Sequence, residues 1–342
     1  MITALVKRAL YRSGVLGLYH RIRNRDTLTI VMFHRVLSTS DPRWRTCDPW
    51  YSMSDQLFAE HLEFFQRHYN VVSLPQVLAA HNGGQPLPAR ALLITFDDGW
   101  ADNAEFALPQ LQRRGMPALV FVVSDVIDRP EPFFQEALLI AWRSGRLTPQ
   151  VAQQMWADTG APAATRPTFE SQADLTPVRL LIAQIEKLPL HARSELLRRH
   201  APVLQDSVVH MLTHQQLLDL HRHQVAIGVH GKTHTPLVEA LDLQAELTDS
   251  RQRLGEVLGV APPVALSFPH GNYTPQIAAQ ARDSGYLLMF NSIEKLNQTG
   301  TGAHDILCRV GASGEYHTGS RGRLLPERLA MDYFRRPINP SI

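Results

Sequence analysis

Residues 91–100 hold the segment from which the fold can be argued, an apolar run followed by two adjacent carboxylates and a glycine. The segment reads Ala91-Leu92-Leu93-Ile94-Thr95-Phe96-Asp97-Asp98-Gly99-Trp100. Its apolar part predicts a buried β-strand. Burying charge is costly, and α/β barrels collect their active-site residues at the carboxyl ends of strands. Asp97 and Asp98 are therefore candidate site residues. The alternative is an Asx turn in which Gly99 supplies the unusual backbone angles.

Further apolar runs of strand length alternate with helical patterns along the chain. The predicted strands cover residues 28–33, 91–96, 118–123, 224–229, 264–268, 286–290 and 306–310. Helical spacing of apolar residues covers 55–66 and 242–258, and Thr274 followed by Pro275 predicts the cap and first residue of a helix to about residue 284. This alternation predicts an α/β fold with a mainly parallel sheet or barrel.

The region 127–205 differs from the rest because it has a helical pattern without strand-like runs. It contains Trp142 and Trp156 and is interrupted near Gly160 and Pro167. We interpret it as a helical insertion within a barrel domain spanning residues 27–312. A basic amphipathic segment, residues 1–26, precedes that domain, and a tail rich in Arg, Gly and Pro, residues 313–342, follows it.

The composition limits the classes of protein to consider. The 342 residues include 34 basic and 32 acidic side chains, and 44% are hydrophobic. Such a chain can bury a core, which excludes wholesale disorder, and its near-neutral charge argues against nucleic-acid binding. Cys47 and Cys308 are the only cysteines, so a disulfide framework is excluded. With no apolar run of the roughly 18 to 20 residues that span a bilayer and no secretion signal, we expect a cytoplasmic protein.

The N-terminal segment has two interpretations. Apolar residues recur at helical spacing beside Lys7, Arg8 and Arg12; they are Ile2, Leu5, Val6, Ala9 and Leu10. The favoured interpretation is an amphipathic helix packed on the domain. The alternative is a helix that lies on a membrane surface, which would make the protein peripherally membrane-associated.

A second motif follows the apolar run that ends at Val229. It reads Gly228-Val229-His230-Gly231-Lys232-Thr233-His234. Two histidines four residues apart can present both imidazoles to one ion, although a chain with 16 histidines also offers the alternative of two solvent-facing side chains. One aspartate and two histidines form a sensible ligand set for a divalent transition metal. The second aspartate is then of the right type for a general base.

Together these motifs resemble those of the polysaccharide deacetylases, the NodB-homology group of carbohydrate esterases. Residues 95–99 match the family's TFDDG motif, and residues 230–234 match H-[ST]-x-x-H except that Gly231 replaces the hydroxyl residue. The resemblance implies that Asp97 is the base and that Asp98, His230 and His234 hold one divalent ion. Zn²⁺ is the first expectation, with Co²⁺, Ni²⁺ and Fe²⁺ as alternatives. It also implies an α/β fold of the irregular (β/α)7-type barrel class, with the helical insertion.

The family's third motif, an RxPYG-type loop, is only partly matched. Residues 267–273 keep Pro269 and Gly271 but lack the arginine and have His270 where tyrosine is usual. The resemblance implies that the His270 amide, beside Pro269, helps to hold an oxyanion; the alternative is a plain Pro-Gly loop. Aromatic residues nearby are candidates for an apolar wall against the substrate, or simply for core: Trp100, Phe268 and Tyr273.

The family's C-terminal L-x-x-H motif, the usual source of the general acid, is absent from residues 306–311. His34, in Val31-Met32-Phe33-His34-Arg35-Val36, resembles the early histidine of the branch that acts on poly-N-acetylglucosamine, where it takes the acid role. The alternative is a core histidine bonded to a backbone carbonyl. Arg309 is a candidate either to orient Asp97 or to contact substrate.

The resemblance implies a metal-dependent hydrolase that removes N-acetyl groups from an N-acetylated sugar, glycolipid or polysaccharide precursor. One alternative is an O-acetyl carbohydrate esterase. Another is a non-catalytic carbohydrate-binding member of the family, because two family residues are missing. The expected partner is an acetylated carbohydrate, and no motif suggests nucleic acid. The sequence does not predict the oligomeric state.

Overall fold

A computed structural model of the chain describes residues 3–129, 131–300, 304–312, 314, 316–320 and 322–339. The strands are β1 Thr27–Phe33, β2 Arg35–Leu37, β3 Ser52–Ser54, β4 Asn70–Val71, β5 Ala91–Phe96, β6 Ala118–Val122, β7 Val225–Val229, β8 Ala265–Ser267, β9 Leu288–Phe290, β10 Leu296–Gln298, β11 Ile306–Leu307, β12 Val310–Gly311 and β13 Ile338–Asn339.

The α-helices are α1 Ala4–Arg12, α2 Val15–Arg23, α3 Asp55–His68, α4 Leu74–His81, α5 Leu108–Arg114, α6 Phe134–Arg143, α7 Pro149–Asp158, α8 Thr176–Glu186, α9 Leu190–Arg199, α10 Ala201–Leu204, α11 His214–Arg222, α12 Ser250–Leu258, α13 Pro275–Asp283 and α14 Pro326–Tyr333. Two π-helical turns, Asn103–Ala107 and Ala245–Asp249, lead into α5 and α12.

The sheet closes into a barrel of parallel strands. Its strand order runs β11-β9-β8-β7-β6-β5-β1, and every neighbouring pair in that order is parallel. The segment from Ile306 to Gly311 joins the two ends, because β11 pairs with β9 while β12 pairs in parallel with β1. Counting that segment as one strand, seven parallel strands form the ring. The predicted α/β barrel class is confirmed.

The strand prediction succeeded because parallel strands are buried on both faces and read as continuous apolar runs. All six residues of β5 and all five of β6 are buried. Alternate side chains fill the barrel interior, among them Leu93 and Phe121, while their neighbours pack against the helices outside. A Cβ on Gly228 would meet the Phe121 ring at 2.6 Å, so only glycine leaves room for that ring.

The helix predictions agree to within a few residues. Thr274 caps α13 by accepting a hydrogen bond from the Ile277 amide, and Pro275 is the first helical residue. The helix predicted from residue 242 begins at Leu243 and passes through the π-helical turn at 245–249 into α12. The N-terminal segment forms two helices, α1 and α2, and its Ile2 lies outside the described residues. Most of the tail after residue 312 is described and contains α14 and β13; residues 313, 315, 321 and 340–342 are not.

The chain divides into two compact units. The first, residues 1–36, 50–128 and 212–342, contains the barrel. The second, residues 37–49 and 129–211, is helical and has its own core around Trp142, Trp156 and Leu181. The loop 37–49 was not part of the predicted insertion. It joins this unit through contacts such as the ion pair between Asp48 and Arg179, 2.6 Å from oxygen to nitrogen. A one-dimensional apolar pattern does not reveal such a contact.

Candidate active site

The predicted site residues follow the carboxyl ends of the barrel strands. His34 follows β1, Asp97 and Asp98 follow β5, and His230 follows β7. Arg309 lies between β11 and β12, in the segment that closes the ring. Because parallel strands all end at the same rim, these residues meet although they are as much as 275 positions apart in the sequence.

The two aspartates face different surroundings, as adjacent residues after an extended strand should. Asp97 continues the inward-facing series of β5 and is 3% exposed. Asp98 adopts a left-handed backbone with φ of 78°, and Gly99 follows with φ of 86°. A Cβ on Gly99 would lie 3.2 Å from Val122 Cγ1. The turn that separates the two carboxylates therefore requires glycine at this position.

Asp98, His230 and His234 form a cluster in which one ligand atom from each lies within 4.8 Å of the other two. Asp98 Oδ1 is 3.4 Å from His230 Nε2 and 3.3 Å from His234 Nε2. His230 Nδ1 donates to the Ser267 carbonyl oxygen at 2.9 Å, which directs the lone pair of Nε2 toward the cluster. One carboxylate and two imidazoles, partly fixed before any ion arrives, suit a divalent transition metal.

Two further contacts hold this cluster in place. The indole N–H of Trp100 donates to Asp98 Oδ2 at 2.9 Å, and the Arg35 guanidinium lies 4.3 Å from the centre of the Trp100 ring. Trp100 is buried, so it offers little surface to a substrate, and its contact in the structure is with Asp98. Burial by itself raises the pKa of Asp98, but the two histidines outweigh it and the pKa lies well below its usual value.

Asp97 is held by an arginine from the segment that closes the barrel. Arg309 Nη1 donates to Asp97 Oδ1 at 2.6 Å, and Nη2 donates to Oδ2 at 2.7 Å. Burial raises the pKa of Asp97, but the charge of Arg309, with those of His230 and His34, outweighs it and lowers the pKa below its usual value. Asp97 is therefore a carboxylate at neutral pH, as a base must be.

Ser267 links Asp97 to the cluster. Its hydroxyl accepts a hydrogen bond from Arg309 Nη2 at 2.8 Å and lies 3.4 Å from Asp97 Oδ2, while its carbonyl accepts from His230. Sequence reasoning did not single out this residue, because a serine at the end of a short strand has no motif of its own. Only its position beside both groups gives it a function.

Glu246 was also missed, and it organises the loop between the two histidines. Its buried carboxylate accepts from the Lys232 amide at 2.6 Å, the Thr233 amide at 3.1 Å and the Thr233 hydroxyl at 2.5 Å. A Cβ on Gly231 would lie 2.8 Å from Glu246 Oε2. Gly231, the departure from the family's second motif, therefore makes room for a carboxylate that orders the loop.

The remaining predicted residues lie around this centre. The ring of His34 is 4.9 Å from the ring of Tyr51, an exposed residue that the sequence did not single out, and burial lowers the pKa of His34. The ring of His270 lies 4.8 Å from that of His234, and Pro269 is buried next to it. Phe268 is fully buried and stacks on Tyr273 at 4.6 Å, so only Tyr273 of this pair reaches solvent.

Comparison with known proteins shows what the chain is similar to. The family model described as polysaccharide deacetylase matches residues 84–161, a range that includes Asp97 and Asp98. Within that range the chain is similar to the polysaccharide deacetylase family. A curated relative, the poly-β-1,6-N-acetyl-D-glucosamine N-deacetylase of Escherichia coli strain K12, is 40% identical over 62 residues. That match spans 18% of this chain and only 9% of the relative.

Two solved structures share the fold over about 90% of the chain. The Streptococcus pyogenes deacetylase PplD, in complex with acetate, has a TM-score of 0.57 and 15% identity, covering 90% of this chain and 99% of that one. IcaB from Ammonifex degensii has a TM-score of 0.55 and 18% identity, covering 90% and 97%. At such identities the likeness shows a shared fold and nothing finer.

Proposed function

We propose that the protein is a metal-dependent N-deacetylase that hydrolyses the acetamide of an N-acetylated sugar, glycolipid or polysaccharide precursor. The observation that carries the proposal is the pairing of two sites at one rim of the barrel: a three-ligand cluster of Asp98, His230 and His234, and a separate carboxylate, Asp97, held by Arg309. An amide hydrolase needs an electrophilic centre and a nearby base; the cluster would hold the ion that supplies the first, and Asp97 would serve as the second.

The cluster residues would hold a divalent transition metal. Such an ion supplies Lewis acidity, which activates water and polarises the acetamide carbonyl. Asp97 would take a proton from the attacking water, because its carboxylate is ionised and lies beside the cluster, with Oδ2 3.9 Å from His230 Nε2. The reaction adds the elements of water across the amide C–N bond and yields acetate and a free amino sugar.

The leaving amine needs a proton before it can depart. His34 is the candidate donor, since it lies at the same rim and interacts electrostatically with both Asp97 and Asp98. The exposed ring of Tyr51 next to it, and that of Trp50, offer flat apolar surfaces for a sugar ring. The His270 backbone N–H is the candidate second support for the oxyanion.

The contacts of Arg309 favour a catalytic protein over a non-catalytic carbohydrate-binding one. The family arginine missing from residues 267–273 motivated the non-catalytic alternative. In the fold, Arg309 supplies a bidentate contact to the base from a different strand. A buried aspartate with this charge partner beside a metal-type cluster is expensive to keep in a protein that only binds sugar.

The test is release of acetate by the purified protein loaded in turn with Zn²⁺, Co²⁺, Ni²⁺ or Fe²⁺. An oligomer of β-1,6-linked N-acetylglucosamine is the first substrate, because the E. coli relative is named for that polymer. An O-acetylated sugar of equal length is the matched control. We expect acetate from the N-acetylated substrate alone. Acetate only from the ester would indicate an esterase, and sugar binding without turnover or metal uptake would indicate the non-catalytic alternative.

A further inference from the structure

The helix α2 has an apolar side that faces solvent. Val15, Leu18, Tyr19 and Ile22 are 51%, 58%, 39% and 71% exposed, and their spacing places them on one side of the helix. The opposite side packs on the fold through Leu16 and His20, which are 6% and 1% exposed. An amphipathic helix that only packed on its domain would expose polar residues here. The outer side of α2 is therefore built to contact something apolar.

The helix α1 also exposes apolar side chains. Leu5 is 80% exposed and Val6 is 47% exposed, and Arg8, Ala9 and Arg12 are exposed as well. Tyr11, on the other side of the helix, contacts the fold, with its hydroxyl 3.1 Å from His68 Nε2. Both helices are thus held by their inner sides while their outer sides remain in solvent. We call the exposed set Leu5, Val6, Val15, Leu18, Tyr19 and Ile22 the outer apolar face.

The segment that carries the outer apolar face has charged side chains of one sign. Residues 3–25 contain six basic side chains, Lys7, Arg8, Arg12, Arg21, Arg23 and Arg25, and no acidic one. The rest of the chain has 28 basic and 32 acidic side chains, so the segment carries the entire positive excess. A partner for this surface should therefore be apolar beneath and negatively charged at its boundary.

We propose that the outer apolar face docks on an anionic lipid bilayer, with α1 and α2 lying in the plane of the interface. Aliphatic side chains flanked by Arg and Lys, with a tyrosine at the edge, are typical of interfacial helices. Each helix has nine residues and is about 14 Å long, well short of the roughly 30 Å hydrocarbon core. Among the described residues no helix is long and apolar enough to cross a membrane.

Docking through this face leaves the candidate active site open. Helix α2 ends just before the amino-terminal end of β1, whereas His34 and the other site residues follow the carboxyl ends of the strands. The proposal does not depend on the proposed function, because a protein without deacetylase activity would dock in the same way. Substitutions in the outer apolar face should therefore leave any acetate release in solution unchanged.

The test is sedimentation of the full chain with vesicles of phosphatidylcholine alone or with about one-third phosphatidylserine. We expect at least tenfold stronger binding to the anionic vesicles, weakened as salt rises from about 0.1 to about 0.5 M. The double variant Leu18→Gln, Ile22→Gln should bind the anionic vesicles at least tenfold more weakly than the parent chain. Arg8→Gln and Arg12→Gln should each weaken binding to the anionic vesicles about fivefold.

Matched controls come from other exposed residues of the same types. Leu241→Gln replaces a leucine that is 85% exposed outside the segment, and Arg222→Gln replaces an exposed arginine on α11; both should bind vesicles as the parent chain does. Thermal melting checks that each variant is folded. Absence of binding to either vesicle would overturn the proposal. A second outcome would also overturn it. If the parent chain binds no lipid but is a dimer in analytical ultracentrifugation, and Leu18→Gln, Ile22→Gln converts that dimer to monomer, the face is a contact between two copies.

Discussion

Arg309 and Asp97 are 212 positions apart and form two parallel hydrogen bonds of 2.6 and 2.7 Å in the buried upper part of the barrel. Arg309 also donates from Nε to the Asn291 carbonyl and lies 5.4 Å from the centre of the Phe121 ring that fills the barrel. The pair therefore does two things at once. It fixes the orientation of the candidate base, and it ties the segment that closes the barrel to the strand β5.

Replacing Arg309 tests both roles. Arg309→Met should lower the free energy of unfolding by about 3–5 kcal/mol, because Asp97 would remain buried without a charge partner, and should reduce acetate release. The double variant Arg309→Met, Asp97→Asn should regain much of that stability in urea titrations but no activity. Arg282→Met is the matched control: it breaks a partly exposed pair with Asp305 and should cost about 1 kcal/mol or less. Equal losses for Arg309 and Arg282 would contradict the buried-pair assignment.

The two adjacent aspartates should separate turnover from metal binding. Asp97→Asn should abolish acetate release while the protein still takes up one divalent ion, because the cluster is intact. Asp98→Asn or His230→Ala should lose that ion, since each removes one of three ligands. Isothermal titration with Zn²⁺ and metal analysis measure the difference. His221→Ala, an exposed histidine on α11, is the control for loss of an imidazole as such. Full activity in Asp97→Asn would refute its assignment as the base.

Glu246 should control metal affinity without touching the ion. Glu246→Gln removes the charge that accepts the Lys232 and Thr233 amides, so the loop between the two histidines should become less ordered. We expect metal affinity to fall by about 10- to 100-fold, as is usual when the support of a ligand is removed. Titration calorimetry measures the affinity. Glu239→Gln, at an exposed position nearby, should leave it unchanged, and an unchanged affinity in Glu246→Gln would show that the loop is ordered without it.

Two glycines should respond in opposite directions to alanine. Gly99→Ala should reduce the free energy of unfolding by about 1–3 kcal/mol, because alanine is strained at a φ of 86° and its methyl would crowd Val122. Gly17→Ala, within α2, meets nothing within 4 Å and should add about 0.5–1 kcal/mol through helix propensity. Urea unfolding of the two variants measures both changes. A neutral Gly99→Ala would mean that the turn after β5 can relax.

His61 should make the fold sensitive to acid. It is fully buried, its Nδ1–H donates to the Leu57 carbonyl, and its titratable neighbour His317 lies 6.1 Å away between ring centres. Burial lowers the pKa of His61 to about 4 from a usual value of 6.5. Below pH 6.5 the unfolded chain therefore binds a proton that the folded chain does not, and stability falls as the pH falls.

The size of this effect follows from the pKa difference. Between pH 7.5 and 5.5, His61 should account for about 1 kcal/mol of lost stability. His61→Asn should show a shallower dependence of unfolding free energy on pH over that range, whatever its stability at pH 7.5. His221→Asn, at an exposed position, is the control and should keep the dependence of the parent chain. If the unfolding free energy of His61→Asn depended on pH as steeply as that of the parent chain, the lowered pKa of His61 would be contradicted.

Much of the fold was predictable from local patterns. The seven barrel strands appear in the sequence as apolar runs because parallel strands are buried on both faces, and the helices between them show their own spacing. The Asp97-Asp98-Gly99 and His230–His234 motifs were predictable for a similar reason. Each is a short segment whose residue types and spacing suit one chemical task, and each directly follows such a run. The charge of residues 3–25 was also visible in the sequence.

The tertiary structure alone decided which distant groups meet. Arg309 reaches Asp97 because the chain closes the barrel beside β1. Ser267 contacts His230, 37 positions away in the sequence, and Glu246 contacts Lys232, 14 positions away. The outward direction of the Val15, Leu18, Tyr19 and Ile22 stripe was decided in the same way, because helical spacing does not say which of two apolar sides the domain covers. A sequence determines what each segment prefers to form; the closure of the barrel determines which side chains share a neighbourhood, and that sets the chemistry of the site.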